Sequence, residues 1–320
     1  MNRITRVLLA LAAAATSLAP LLASAQNFKA PIRVIVPYAP GGGTDQVARL
    51  LAPGLAKELG QNVVIENRPG ASGQIGTQLV QNATPDGTTL LFTVDQSMII
   101  VPLTTPGVNY NATADFVPLG QGARTFWTLM VPGTVAHKDM KDYVAALKRD
   151  PLLRSYGVPY VGGAPTVVGD ALGKHAGVTM VPVPFQGSAP VLQNIMANQV
   201  PAGITGMPEA VQAHKSGKAK VIAVSGSRRT PLLPDVPTFK ELGVEGLEFH
   251  TFIGYFAPKG LPPAMAQEFN AALRKSLADP AVVERISATA MTPAPTTLDE
   301  AMKEVGDIAK FWREALPPKR

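Results

Sequence analysis

Three consecutive glycines, Gly41-Gly42-Gly43, followed by Thr44 and Asp45, are the residues of this chain whose types and spacing best suit chemistry. Glycines let the backbone approach a bound group closely, and a helix starting beyond them offers unpaired N–H groups that suit an anion. Asp45 complicates that reading. A carboxylate near a helix start already answers the dipole and repels a second carboxylate in contact with it. Either Asp45 points away or ordered water stands between the two. A tight turn with a good cap and no ligand is the plainer alternative for such a loop taken by itself.

Other chemistries find little to work with. His137, His175, His214 and His250 are scattered singly, with no metal-ligand spacing. The chain has no Cys, which removes thiol nucleophiles, thiol metal sites and disulfides. No Gly-x-Ser-x-Gly elbow occurs, and the glycine run has neither the Lys-Ser/Thr ending of a phosphate loop nor dinucleotide spacing. A hydrolase or isomerase using Asp45 or Asp95 is the residual enzyme reading. No metal or cofactor is expected.

The elements that must hold the glycine loop follow an α/β pattern. Residues 32–36 read as a strand bounded by Pro31 and Pro37, and Val47, Leu50, Leu51, Leu55 and Leu59 fall on one helix face after it. Thr44 or Asp45 is the natural N-cap, and Pro53 should kink the helix. A strand over 62–66, a turn-rich loop over 67–73, a helix over 74–81 and a strand over 89–94 come next. That alternation predicts a parallel sheet covered by helices. A second series spans about 126–246, with strands near 128–131, 155–158, 179–183 and 221–224 and helices near 141–148, 190–197 and 208–215. Helices over 264–277, 280–288 and 298–316 end the chain.

The first residues address the chain. Arg3 and Arg6, an apolar run over 7–22 and the small residues Ala23-Ser24-Ala25 form a secretory signal cleaved after Ala25. Pro20 interrupts the apolar run, which argues against a retained anchor. Without a Cys after the signal, lipid attachment is excluded, and a soluble periplasmic protein is expected. The 295 residues that remain favour two domains. Their 27 basic and 23 acidic residues are dispersed, with none of the clustering that nucleic acid requires.

Several motifs carry a resemblance. PIRVIVPYAPGGGTD over 31–45, VVIENRPGASGQIG over 63–76 and Pro85-Asp86-Gly87 resemble the opening of Bug-type extracytoplasmic receptors of the tripartite tricarboxylate transporter family. VPFQGSAP over 183–190, LPDVPT over 233–238 and Ala257-Pro258 follow in that family's order, so the resemblance spans the mature chain. It implies a type II periplasmic-binding-protein fold, with two α/β lobes joined by crossing hinge strands. Lobe 1 would comprise 26–123 and 253–320, and lobe 2 would comprise 124–252, with crossings near 121–131 and 247–257. It also implies a small carboxylate held between the lobes, partly through water, and delivered to membrane transporter subunits by a monomeric receptor. A sensor role toward a membrane signalling protein is the alternative.

Carried over by position, the first-lobe contacts are Tyr38, Pro40, Gly41, Gly42, Gly43, Thr44, Asp45, Thr93, Asp95, Gln96 and Ser97. The second-lobe contacts are Tyr160, Gly162, Gly163, Ala164, Thr166, Phe185, Gly187, Ser188 and Thr205, with Gln186 beside them. Departures from the family pattern matter here. Residues 158–166 are more apolar than in relatives, Pro201 stands where an acidic residue is common, and 204–206 replaces a more polar segment. They point to a partly apolar, aromatic or branched ligand packed by Tyr160, Phe185 or Trp127. Arg124 could meet an anion, or be a solvated surface residue, and Arg68 is expected to brace its own loop.

Overall fold

The computed structural model describes residues 28–137, 139–185 and 187–316. The export segment with its cleavage point, and Gln186, lie outside the described residues.

The chain runs β1 (Ile32–Val36), α1 (Gly43–Leu59), β2 (Val63–Asn67), α2 (Gln74–Gln81) and β3 (Thr89–Val94). A π-turn over Gln96–Ile100 leads into the short α3 (Val101–Thr104), then β4 (Phe116–Thr125). β5 (Trp127–Pro132), α4 (Met140–Arg149), β6 (Ser155–Val158), α5 (Ala164–Ala176), β7 (Val181–Pro184), α6 (Ser188–Met196), β8 (Gly203–Gly206), α7 (Met207–Lys215) and β9 (Ala219–Val224) follow. The chain closes with β10 (Thr251–Pro258), α8 (Pro263–Ser276), α9 (Pro280–Ala288), β11 (Thr292–Pro293) and α10 (Leu298–Ala315).

Two sheets result. One has the order β11-β4-β10-β3-β1-β2 and the other β7-β6-β8-β5-β9. Neither is wholly parallel, which corrects the expectation from the first half of the sequence. β1, β2 and β3 run parallel, but β10, β4 and β11 add antiparallel strands, and β5 is antiparallel to β8 and β9 in the second sheet. Apart from the short β11, the antiparallel pairings involve the strands next to the passages between sheets, β4, β5, β9 and β10, where the chain arrives from or leaves for the other unit and not through a covering helix.

Only Phe126 separates β4 in one sheet from β5 in the other, and residues 225–250 return the chain to β10. The crossings are pinned to one another. Trp127 N–H donates to Ser225 Oγ at 2.9 Å, and Trp127 Nε1 donates to Thr251 Oγ1 at 3.2 Å. Glu304 on α10 takes Arg124 Nη2 at 2.6 Å and also bonds the His250 ring, so one carboxylate ties both passages. Arg124 is thereby committed to Glu304 and Gln121. One apolar cluster reaches from Ile35, Leu91 and Met98 through Trp127 and Leu129 to Trp312, so the core is continuous across the crossings.

Candidate ligand-binding cleft

α1 begins at Gly43 with Gly42 as its N-cap, and no side chain caps it. The expected cap at Thr44 or Asp45 is therefore corrected. Gly41, at φ +83°, turns the chain so that its own N–H donates to Asp45 Oδ2 at 2.8 Å. Asp45 is buried, taking two further bonds from Arg49 Nε and one from Asn67 Nδ2. Burial alone would raise this carboxyl, but Arg49, the Gly41 amide and Asn67 outweigh it and hold the group below the usual carboxylate range. Asn67 also donates to Tyr38 O at 3.0 Å. Asp45 thus points inward and braces the loop. Of the loop's amides it uses that of Gly41; those of Gly43, Thr44 and Asp45 find no acceptor among the described residues.

The same device recurs after β2, β6, β7 and β8, though not after β3, whose helical turn opens on Asp95. α2, α5, α6 and α7 start on Gly73, Gly163, Gly187 and Gly206, each without a side-chain cap. Five helix starts without side-chain caps therefore lie beyond strand carboxyl ends, where ligands of open α/β sheets sit, although the first amides of α2 and α7 donate to Ala71 O and Phe126 O.

The two sheet units meet along this end. A Cβ on Gly163 would lie 3.2 Å from Gln96 Oε1 and 3.3 Å from Ile100 Cγ2, so the loop before α5 rests on the π-turn after β3. Asp95 is only 2% exposed, and its Oδ2 has no partner, as is true of Gln96 Oε1 and Tyr38 Oη. Burial pushes the Asp95 carboxyl up to about 7, and raises Tyr38 to about 12. The Tyr160 hydroxyl, raised first by burial and then by Asp95, faces the same group. Tyr160 packs edge-on to Trp127 with ring centroids 6.0 Å apart. A cavity of about 660 Å³ is lined by Gly41–Gly43 and Gln46 together with Ala189, Glu209, Gln212 and Lys215 of the second sheet unit.

The remaining expected contacts divide. Gly162 N–H donates to Thr166 Oγ1 at 2.9 Å, closing the turn that aims α5, and Ala164 is buried at its first position. Phe185 touches Gly157, whose Cβ would lie 3.2 Å from the ring. Gly187 and Ser188 open α6, and Pro40 is exposed at the loop tip. Thr93 and Ser97 are buried and bond each other, while Thr205 is buried and bonds Gly206 O, so these hydroxyls are spent on the fold. Arg68 pairs with Glu66 and braces its loop. Glu209 lines the cavity although no sequence motif marked it; its place just beyond a parallel strand end was the available signal.

A model of the tripartite tricarboxylate transporter family receptor matches residues 47–316. The chain belongs to that family. The receptor superposes on the periplasmic binding protein BugD with a TM-score of 0.76 and 31% identity, covering 92% of this chain and 100% of BugD. MatC of Rhodopseudomonas palustris with bound malate gives 0.77 and 28%, over 90% of this chain and 99% of MatC. The R. palustris protein Rpa4515 with adipate gives 0.79 and 26%, over 90% and 96%. The receptor is accordingly a two-lobed solute-binding protein of a periplasmic receptor family, and not an enzyme. No helix among its described residues is long and apolar enough to cross a membrane.

Proposed function

We propose that the receptor captures a small organic carboxylate on the open amides of Gly43, Thr44 and Asp45, closes a second lobe over it, and hands it to membrane subunits of a tripartite transporter. The observation that carries this reading is the pairing of the braced glycine loop with a cavity of about 660 Å³ that α7 also lines. Malate in MatC and adipate in Rpa4515 support a carboxylate ligand class.

The magnitudes suffice. Micromolar binding requires about 8 kcal/mol, and each charge-assisted hydrogen bond contributes about 1.5–3 kcal/mol. Three such bonds, plus apolar burial on closure, reach that range without a metal or a strong ion pair. Tyr160 and Phe185 beside the cleft favour a ligand with an apolar body.

In this reading lobe 1 is 26–123 with 253–320, lobe 2 is 124–252, and closure bends the crossings at Phe126 and ahead of β10. The mature receptor starts at Gln26 after export and works as a monomer. A thermal-shift panel of aliphatic and aromatic carboxylates tests the ligand class. Stabilisation by branched or aromatic acids supports the apolar body, and stabilisation by small polar dicarboxylates alone removes it. Absence of any shift removes the carboxylate reading itself.

A further inference from the structure

We propose that contact between the lobes takes up a proton at Asp95, so that acid favours the closed receptor and its hold on the solute. The inference rests on the lobe closure of the proposed function and couples a proton to it. Asp95 follows β3 and opens the π-turn on which the second unit rests. A Cβ on Gly163 would lie 3.2 Å from Gln96 Oε1 and 3.4 Å from Tyr160 Cε2, so the loop before α5 covers this corner of the first unit. Asp95 is not part of the wall of the cavity beside α1, so its carboxyl acts on the solute through closure and not by contact.

Among the described residues no cation pairs with Asp95, and its Oδ2 is buried without a partner. The neighbours that favour its charged form are themselves neutral: Trp312 on α10, the Gln96 amide and Thr251 on β10. The titratable groups facing it are the phenols of Tyr38, after β1, and Tyr160. Burial raises both, so neither brings a charge near neutral pH. His250 before β10 and Glu304 on α10, which those elements carry toward the crossings, are closed on each other and on Arg124. Thr251 Oγ1 accepts from Trp127 Nε1 at 3.2 Å, and Trp127 packs edge-on to Tyr160, so the surroundings of Asp95 draw on both units.

A carboxylate enclosed in this way without a cation is costly, and a proton removes the cost. With the lobes together, Asp95 keeps its proton up to about pH 7. When the loop before α5 lifts away, water reaches the carboxyl and returns it to the ordinary carboxylate range. Between those limits the open receptor holds a carboxylate and the closed receptor a carboxyl, so closure draws in a proton. The gain is full below the ordinary carboxylate range and is lost as pH rises through about 7.

Calorimetric titration of the mature receptor with sodium malate and sodium adipate, at pH 6 and pH 8 and in buffers of different ionisation enthalpy, tests this. Both acids are largely ionised at either pH. Affinity for whichever acid binds is expected to fall about tenfold from pH 6 to pH 8, with net proton uptake at pH 6. Asp95→Asn should bind that acid equally at both pH values and take up no proton. Circular dichroism and melting confirm that the variant folds, and Asp95→Ser takes its place if it does not. A flat pH profile in the unaltered receptor, or the same profile kept in the variant, overturns the inference and leaves the carboxylate reading standing. Failure of both acids to bind counts against the carboxylate reading alone, and small-angle scattering of the ligand-free receptor then decides on Asp95. A more compact receptor at pH 5.5 than at pH 8.5, with the difference lost in the variant, upholds the inference, and equal profiles overturn it.

Discussion

The helix starts at the cleft and those away from it are built differently. α1, α2, α5, α6 and α7 open on glycine with no side-chain cap. Away from the parallel strand ends, Asp139 caps α4, Asp279 caps α9, and Thr297 forms a full capping box with Glu300 on α10. A cap contributes about 1 kcal/mol to a helix, so five cleft helices leave that stabilisation unused. At those three starts side chains satisfy first-turn amides, whereas α8, also away from the cleft, opens on Pro262 with no side-chain cap. Where the fold needs to hold a solute, the amides are left for it. The difference teaches that function here is a property of the backbone, with side chains such as Asp45 arranging it.

Four variants break or sharpen this contrast. Asp45→Ala removes the brace of the glycine loop and strands the Gly41 amide and Arg49, at an expected cost of about 2–4 kcal/mol in chemical denaturation. Ligand affinity should fall with it, because the open amides lose their aim.

Asp95→Asn acts with the opposite sign. The carboxyl is raised in the folded protein, so its contribution is most favourable below the ordinary carboxylate range and is lost as pH rises toward about 7. The amide variant should therefore be about 1–2 kcal/mol more stable than the unaltered protein at pH 8 and equal to it near pH 4. Melting curves across that window read the difference directly.

Gly42→Ser places a capping side chain at a position whose φ of −70° and ψ of 164° suit one. Stability should rise by a few tenths of a kcal/mol, while Kd rises about tenfold as the hydroxyl takes an amide the ligand uses. Thr297→Ala is the converse. It should cost about 0.5–1 kcal/mol of stability and leave ligand affinity unchanged, since α10 opens away from the cleft.

Legibility in the sequence followed how far local pattern decides structure. The β1 run and the helix over 74–81 fall where periodicity and flanking Pro and Gly put them. α5 was missed because Gly169 and Gly173 interrupt its apolar pattern. Those glycines exist for tertiary reasons, since a Cβ on Gly169 would strike the Tyr156 ring and one on Gly173 would lie 2.7 Å from Val178 O. β4 was seen only as a crossing, because Pro118, Gly120 and Gly122 argue against a strand until β10 pairs with it. The mixed character of both sheets likewise depends on partners distant in the chain, as β4 and β10 are, and β5 with β8 and β9.

At the cleft, the glycine loop was legible and the fate of Asp45 was not. The sequence places a carboxylate near the helix start but says nothing of Asn67 and Arg49 waiting to receive it. Glu209 was invisible for a related reason: at the third position of a helix it reads as an ordinary dipole-matching charge. Only the fold, which sets α7 and the glycine loop along one cavity, places it in the cleft wall.

The central claim is that the first-turn amides of α1 hold the solute's carboxylate. Backbone ¹⁵N–¹H spectra of the labelled receptor, titrated with a carboxylate that calorimetry shows to bind, test it most directly. The account predicts saturable shifts at Gly43, Thr44 and Asp45, with Gly41 little changed because its amide is already taken by Asp45. Saturable binding with those three amides unmoved would contradict it.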